Sequence, residues 1–145
     1  MQLNFDKFNF QIKTQNNRNY IWDKVRKGYF VLTQEEYVRQ HCIHQLEKNG
    51  FSLARLSIEQ NLPKSKKRYD AILYDNAGNP KLLIECKAPT VHLSTKIIEQ
   101  VTSYISLLEV PNILLTNGRF HFLIKRSVKE LEITQEFPEL SSISH

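Results

Sequence analysis

Hydrophobic and polar positions change their spacing several times along the chain, and each change marks an element. Phe8, Phe10 and Ile12 alternate with polar neighbours, and a polar turn, Gln15-Asn16-Asn17-Arg18-Asn19, leads into Tyr20-Ile21-Trp22 and later Tyr29-Phe30-Val31-Leu32. Alternation at period two, interrupted by a turn, predicts an N-terminal β-hairpin within residues 1–32. The period then becomes helical. Thr33 is a natural N-cap that forms a capping box with Glu36, and Val38, Cys42 and Leu46 make an apolar stripe with Ile43 beside it. Asn49-Gly50 is a standard left-handed helix stop.

Three β-like runs follow, at Leu53–Gln60, Arg68–Tyr74 and Lys81–Lys87. The last two flank Asp75-Asn76-Ala77-Gly78-Asn79-Pro80, a turn signal, and Pro89 breaks the chain after them. Leu93 to Leu108 reads as a helix through Ile97, Ile98, Val101, Ile105 and Leu108. Asn112–Thr116 and Phe120–Ile124 are short apolar strands around Asn117-Gly118, and the tail from Lys125 is polar and acidic on balance. The order β-β-α-β-β-β-α-β-β predicts an α/β fold with a central mixed β-sheet flanked by α-helices. At 145 residues, a single domain over 1–145 is expected.

The second and third runs carry the chemistry. A turn centred between Ala77 and Gly78 places Tyr74 opposite Lys81, Ile72 opposite Leu83 and Asp70 opposite Glu85. Opposed residues share a face about 4.5–5.5 Å apart, and period two puts Lys87 there as well. Tyr69, Ala71, Leu73, Ile84 and Cys86 then face the core. Two opposed carboxylates repel, and a divalent cation between them removes the conflict. Oxygen ligands at this separation suit Mg²⁺, and a lysine beside it can orient a bound water or stabilise a phosphate under attack. Asp70, Glu85 and Lys87 thus read as a hydrolytic site for a phosphodiester. The competing reading is a surface hairpin with a cross-strand Glu–Lys pair, since the bare motif is common by chance.

Charge adds a partner to this picture. The net charge is +5, and the whole excess falls in residues 1–75, densest at Lys64, Lys66, Lys67 and Arg68 just before Asp70. A basic cluster there suits a polyanion, although a solvated surface explains a modest excess equally well. Hydrophobic residues make up 41% and charged residues 24%, ordinary values for a soluble protein. No apolar run is long enough to cross a bilayer and no leader pattern opens the chain, so a cytoplasmic protein without a membrane partner is expected. Two cysteines, Cys42 and Cys86, fit core positions in a reducing compartment, and the glycine-rich phosphate-loop pattern is absent. Trp22, Tyr20, Tyr29 and Phe30 could stack on bases, but packing of the hairpin on the core is the simpler use.

Asp70 with Glu85-Cys86-Lys87 resembles the D…(D/E)xK signature of the PD-(D/E)xK, or restriction-endonuclease-like, nuclease superfamily. Thr33 to Gln40 resembles the entry helix of the N-terminal nuclease domain of type I restriction enzyme R subunits, and Leu83 to Pro89 resembles its metal-binding strand. Gln100-Val101-Thr102-Ser103-Tyr104 is similar to the superfamily's QxxxY helix motif, and Leu115-Thr116-Asn117-Gly118 resembles its late strand and turn. Tyr69 replaces the nominal proline before the motif aspartate.

The resemblance implies a restriction-endonuclease-like core over 33–125, after an N-terminal extension (1–32) and before a C-terminal tail (126–145). It implies Asp70, Glu85 and the Cys86 carbonyl as ligands of Mg²⁺ or Mn²⁺, and Lys87 as the catalytic lysine. Glu36 joins the site from the first helix, preferred to Glu35 by the pattern E-x-V-R, though capping could be its whole purpose. Gln100 and Tyr104 would face the site or the DNA backbone, with Lys96 one turn earlier and Lys64, Lys66, Lys67 and Arg68 holding phosphates. The implied function is a DNA endonuclease working with restriction-modification subunits. The alternatives are a non-cleaving DNA- or partner-binding module of the same fold, and an RNA- or structure-specific nuclease. Double-strand cutting by a single-site domain needs two copies, which makes a homodimer a candidate.

Overall fold

The computed structural model describes residues 2–61, 68–126 and 130–143, without the side chains of residues 59–61, 68, 69 and 104. Lys64, Lys66 and Lys67 therefore lie outside the described residues, and Arg68 and Tyr104 are described in backbone only. The chain begins with β1 (Ile12–Gln15), β2 (Arg18–Asp23) and β3 (Gly28–Val31). These form a three-stranded antiparallel sheet, so the expected hairpin gains a third strand. Asn16 and Asn17 take left-handed φ values of 53° and 62°, the conformation that a tight two-residue hairpin turn requires. Phe8 and Phe10 precede this sheet and pack against helical histidines instead of joining a strand.

Helix α1 (Gln34–Lys48) starts where the cap predicts, with Thr33 Oγ1 accepting from the Glu36 N–H at 3.0 Å. A 3-10 turn at Leu53–Arg55 takes the beginning of the run expected as a strand. The remainder forms β4 (Leu56–Asn61), followed by β5 (Arg68–Tyr74) and β6 (Pro80–Cys86). Helix α2 (Thr95–Leu108) begins two residues later than its apolar pattern because Ser94 caps it, its Oγ accepting from Ile97 N–H at 3.3 Å. Strands β7 (Asn112–Thr116), β8 (His121–Arg126) and β9 (Leu131–Thr134) complete a six-stranded sheet in the order β4-β5-β6-β7-β8-β9. The pair β6–β7, joined through α2, is parallel and the other neighbours are antiparallel. The segment expected as a polar tail thus supplies an edge strand, and beyond it Phe137 and Ile143 pack into the core.

Both faces of this sheet are covered. On one, Val38, Cys42 and Leu46 of α1 pack with Ala71, Leu73, Leu82, Ile84 and Cys86. On the other, Val101 and Ile105 of α2 pack with Ile72, Leu83, Ile113 and Leu115. The face that carries Asp70 and Glu85 is therefore apolar over most of its length, with Ile72 and Leu83 buried under α2. Polar chemistry is left to the strand ends.

The hairpin register agrees with expectation at Ala71–Ile84, Ile72–Leu83 and Leu73–Leu82, but Tyr74 pairs with Pro80 and not Lys81. A bulge between Leu73 and Tyr74 absorbs one residue. Asp75 Oδ1 holds the turn by accepting from the Ala77 and Asn79 N–H groups, each at 2.9 Å. The shift lies at the turn end and does not disturb Asp70 and Glu85 at the other.

Candidate active site

Where β5 begins and β6 ends, one position beyond the paired Ala71 and Ile84, Asp70 and Glu85 come together. Both are buried, at 4% and 7% exposure, and their carboxyl groups lie close enough to interact directly. Burial and the adjacent Asp70 push the Glu85 carboxyl up to about 10, while Lys87 works in the opposite sense. Two such groups share a proton when no cation separates them. The Cys86 N–H donates to Asp70 Oδ2 at 2.5 Å, and the Lys87 N–H donates to the Thr116 carbonyl at 2.8 Å. That bond holds the Lys87 backbone just past the end of β6, where the residue is half-buried.

Helix α1 adds a guanidinium that motif reading passed over. Arg39 donates to Asp70 Oδ1 through Nη2, and through Nε at 3.2 Å. It also reaches Glu36 Oε1 through Nη1 at 2.7 Å. Burial works against its charge, but Asp70 and Glu36 outweigh burial and keep it protonated. Its sequence signal was the arginine of E-x-V-R, three residues after Glu36.

Glu36 is a node of this network. Its Oε1 also accepts from Arg26 Nη2 at 2.8 Å, and its Oε2 from Gln40 Nε2 at 3.0 Å. Arg26 in turn grips buried Asp23 through Nε at 2.6 Å. The carboxylate thus serves ion pairs and does not turn back to the Thr33 N–H, so only the threonine half of the capping box forms.

Neighbouring Glu35 is half-exposed, and burial and the field of Asp70 raise its pKa, against Arg39 and Lys87. The field of Asp70 thus reaches the Glu35 carboxyl directly. The sequence signal was the doublet itself, whose members point about 100° apart on a helix.

Gln100 and Lys96 are exposed on α2, while Val101 and Ile105 face the core. Cys42 and Cys86, distant in sequence, meet in the core under α1. Among the described residues, no cluster of three or more His, Cys, Asp or Glu side chains is arranged to hold a metal ion. A cation here would draw on two carboxylates and the Cys86 carbonyl. That donor set is hard oxygen throughout, and it fits a divalent ion that replaces the shared proton.

The late turn supports this end of the sheet. Asn117 Oδ1 accepts from the Arg119 and Phe120 N–H groups at 2.9 and 2.8 Å, and its Nδ2 donates to the Val91 carbonyl at 2.9 Å. Gly118, at φ +87°, has Leu3 and Val38 side-chain carbons 3.0 and 3.1 Å from where a Cβ would stand. Only glycine satisfies both constraints. No helix is long and apolar enough to cross a membrane among the described residues.

Residues 34–143 match the family model described as the type I restriction enzyme R protein N terminus. A solved fragment attributed to an HsdR subunit of a type I restriction enzyme from Vibrio vulnificus YJ016 has the same fold, with a TM-score of 0.57 at 16% identity. The likeness covers 77% of this chain and 24% of that one, so the chain spans about a quarter of that subunit fragment. No curated protein sequence matches significantly.

Proposed function

The chain belongs to the family of type I restriction enzyme R protein N termini, and from that premise we propose that it hydrolyses DNA phosphodiester bonds with Mg²⁺, or Mn²⁺ in its place. The observation that carries the reading is the buried, interacting Asp70–Glu85 pair with the charge of Lys87 beside it. Asp70, Glu85 and the Cys86 carbonyl would hold the cation, which when bound supplies Lewis-acid stabilisation of the phosphate and a more acidic water. Lys87 orients the attacking water or meets the charge that develops on the phosphate. Arg39 aims Asp70 through its two hydrogen bonds, acting through that carboxylate and not on substrate. Gln100 and Tyr104 on α2, with Lys96 and the run Lys64, Lys66, Lys67 and Arg68, are assigned to the DNA backbone. The partners would be DNA and restriction-modification subunits, with pairing of two copies for double-strand cuts, in the cytoplasm.

Nicking of supercoiled plasmid with Mg²⁺ or Mn²⁺ tests this. Asp70→Ala and Lys87→Ala should each lower the rate by about 100-fold or more. Full activity in both variants would refute the site. One observation favours the second reading, a DNA- or partner-binding module that does not cleave: Arg39 already satisfies Asp70 without a cation. That reading predicts no nicking with either metal and no metal-dependent rise in thermal stability.

A further inference from the structure

The N-terminal sheet lies outside the family-matched residues 34–143, and its two faces differ in kind. Ile21 and Asp23 of β2 point inward and are fully buried. Their alternates, Tyr20 and Trp22, share the outer face with their β3 partners, Val31 and Tyr29, and with Lys13 of β1, which pairs with Tyr20. Tyr29 and Val31 are each 37% exposed. Trp22 meets Tyr29 edge-on, with centroids 5.2 Å apart, and Lys13 Nζ lies 4.2 Å over the Tyr29 ring. This is a solvent-facing aromatic patch topped by a cation.

Its electrostatic setting is one-sided. Residues 1–32 hold six Lys/Arg against two Asp/Glu, so most of the chain's excess positive charge sits here. Both acids are already committed, Asp23 to Arg26 and Asp6 to Lys48, while of the cations Lys24 is paired with Glu47 and Arg26 with Asp23 and Glu36. The patch also adjoins the candidate active site. Val31 and Phe30 line a cleft of about 640 Å³ together with Glu35, Arg39 and Ala88, the residue after Lys87.

We propose that this outer face, Lys13, Tyr20, Trp22, Tyr29 and Val31, binds single-stranded DNA running out of the cleft, by stacking unpaired bases on its rings. The proposal deepens the nuclease reading and rests on it for the identity of the polymer. Rings on an exposed sheet offer π-faces to splayed bases, each stack being worth about 1–3 kcal/mol. A duplex presents phosphates and groove edges, for which a face carrying one lysine has little use. The β2–β3 register, pairing Trp22 with Tyr29 and Tyr20 with Val31, sets the rings side by side before binding.

Trp22 is the only tryptophan, so its fluorescence reports on this face directly. The full chain, with chelator to prevent cleavage, is titrated with an oligothymidylate of about 12 nucleotides. Saturable quenching is expected, with weaker quenching by the matching duplex. Tyr29→Ala should weaken binding by about 10-fold and Tyr29→Phe should retain it, because the ring and not the hydroxyl stacks. Lys13→Ala should cost a few-fold and flatten the salt dependence by about 0.7 in logarithmic slope.

Quenching of the wild-type chain under chelator, with no nicking once Mg²⁺ or Mn²⁺ is restored, would uphold this face while the nuclease reading fails. Cleavage without quenching would sink the proposal alone. Quenching that survives Tyr29→Ala would overturn it. So would a Trp22 signal that follows protein concentration and not DNA, which would make a second copy the occupant.

Discussion

Glu36, Arg39 and Gln40 lie along one side of α1, and Tyr37, His41 and His44 along another, yet both stripes hold segments from far away in the sequence. The first works by charge. Its carboxylate and guanidinium are buried, and they tie the helix to Asp70 on β5 and to Arg26 before β3. The second works by neutral rings. Phe10 packs against Tyr37, His41 and His44, and Phe8 and Phe5 extend the same belt. Burial lowers the pKa of His41 and His44, which keeps both rings uncharged near neutrality. A charged stripe fails when a partner is removed, whereas a neutral stripe fails when a proton is added.

The largest effect should follow from breaking the charged stripe. Arg39→Met keeps the apolar stem but leaves Asp70 and Glu36 short of their shared cation. Removing one member of a buried ion pair costs about 3–5 kcal/mol, and the urea midpoint should fall accordingly. A loss below about 1 kcal/mol would mean that the guanidinium does not hold the network.

The same stripe separates Glu36 from Glu35. Glu36→Gln removes a charge gripped by two arginines and should destabilise by about 1–3 kcal/mol. Glu35→Gln should leave stability within about 0.5 kcal/mol, since its ion pair with Arg39 is long, at 3.5 Å, and half-exposed. If Glu35 serves the site, its variant lowers nicking with the midpoint unchanged. The opposite pattern, with Glu36→Gln stable and inactive, would restore Glu36 to the role that the E-x-V-R pattern implies.

Much of this was legible because it depends on local rules. Thr33 and Gly50 bound α1 through cap chemistry, and turn position plus period two opposed Asp70 to Glu85 from sequence alone. Three things were hidden for physical reasons. Arg39 reaches Asp70 across 31 positions, a contact that no periodicity encodes. Strand β9 exposes Leu131 and Ile133 at the sheet edge, so its four residues carry no burial pattern to read. His121 likewise had no visible partner. In the fold its Nε2 donates to the Asn4 carbonyl and its Nδ1 accepts from Thr116 Oγ1, both at 2.7 Å.

The smallest effect is the pH response of the neutral stripe. His41, His44 and His121 are depressed below the usual 6.5, chiefly by burial. The unfolded chain therefore binds protons first as pH falls. Their contribution is complete above about 6.5 and is lost progressively below it. Glu85 acts in the opposite direction. Its folded pKa of about 10 against an unfolded value near 4.5 gives stability that is present below 4.5 and lost as pH rises toward 10. Glu35, also raised, adds to that sense. Between pH 7 and 5 the wild-type urea midpoint should thus change little. In Glu85→Gln, which has no such proton to hold, the same acidification should lower the midpoint clearly, by less than the loss in Arg39→Met. Adding His41→Phe and His44→Phe should flatten the curve again. A flat profile in Glu85→Gln itself would show that the imidazoles tolerate protonation, and the contrast between the two stripes would disappear.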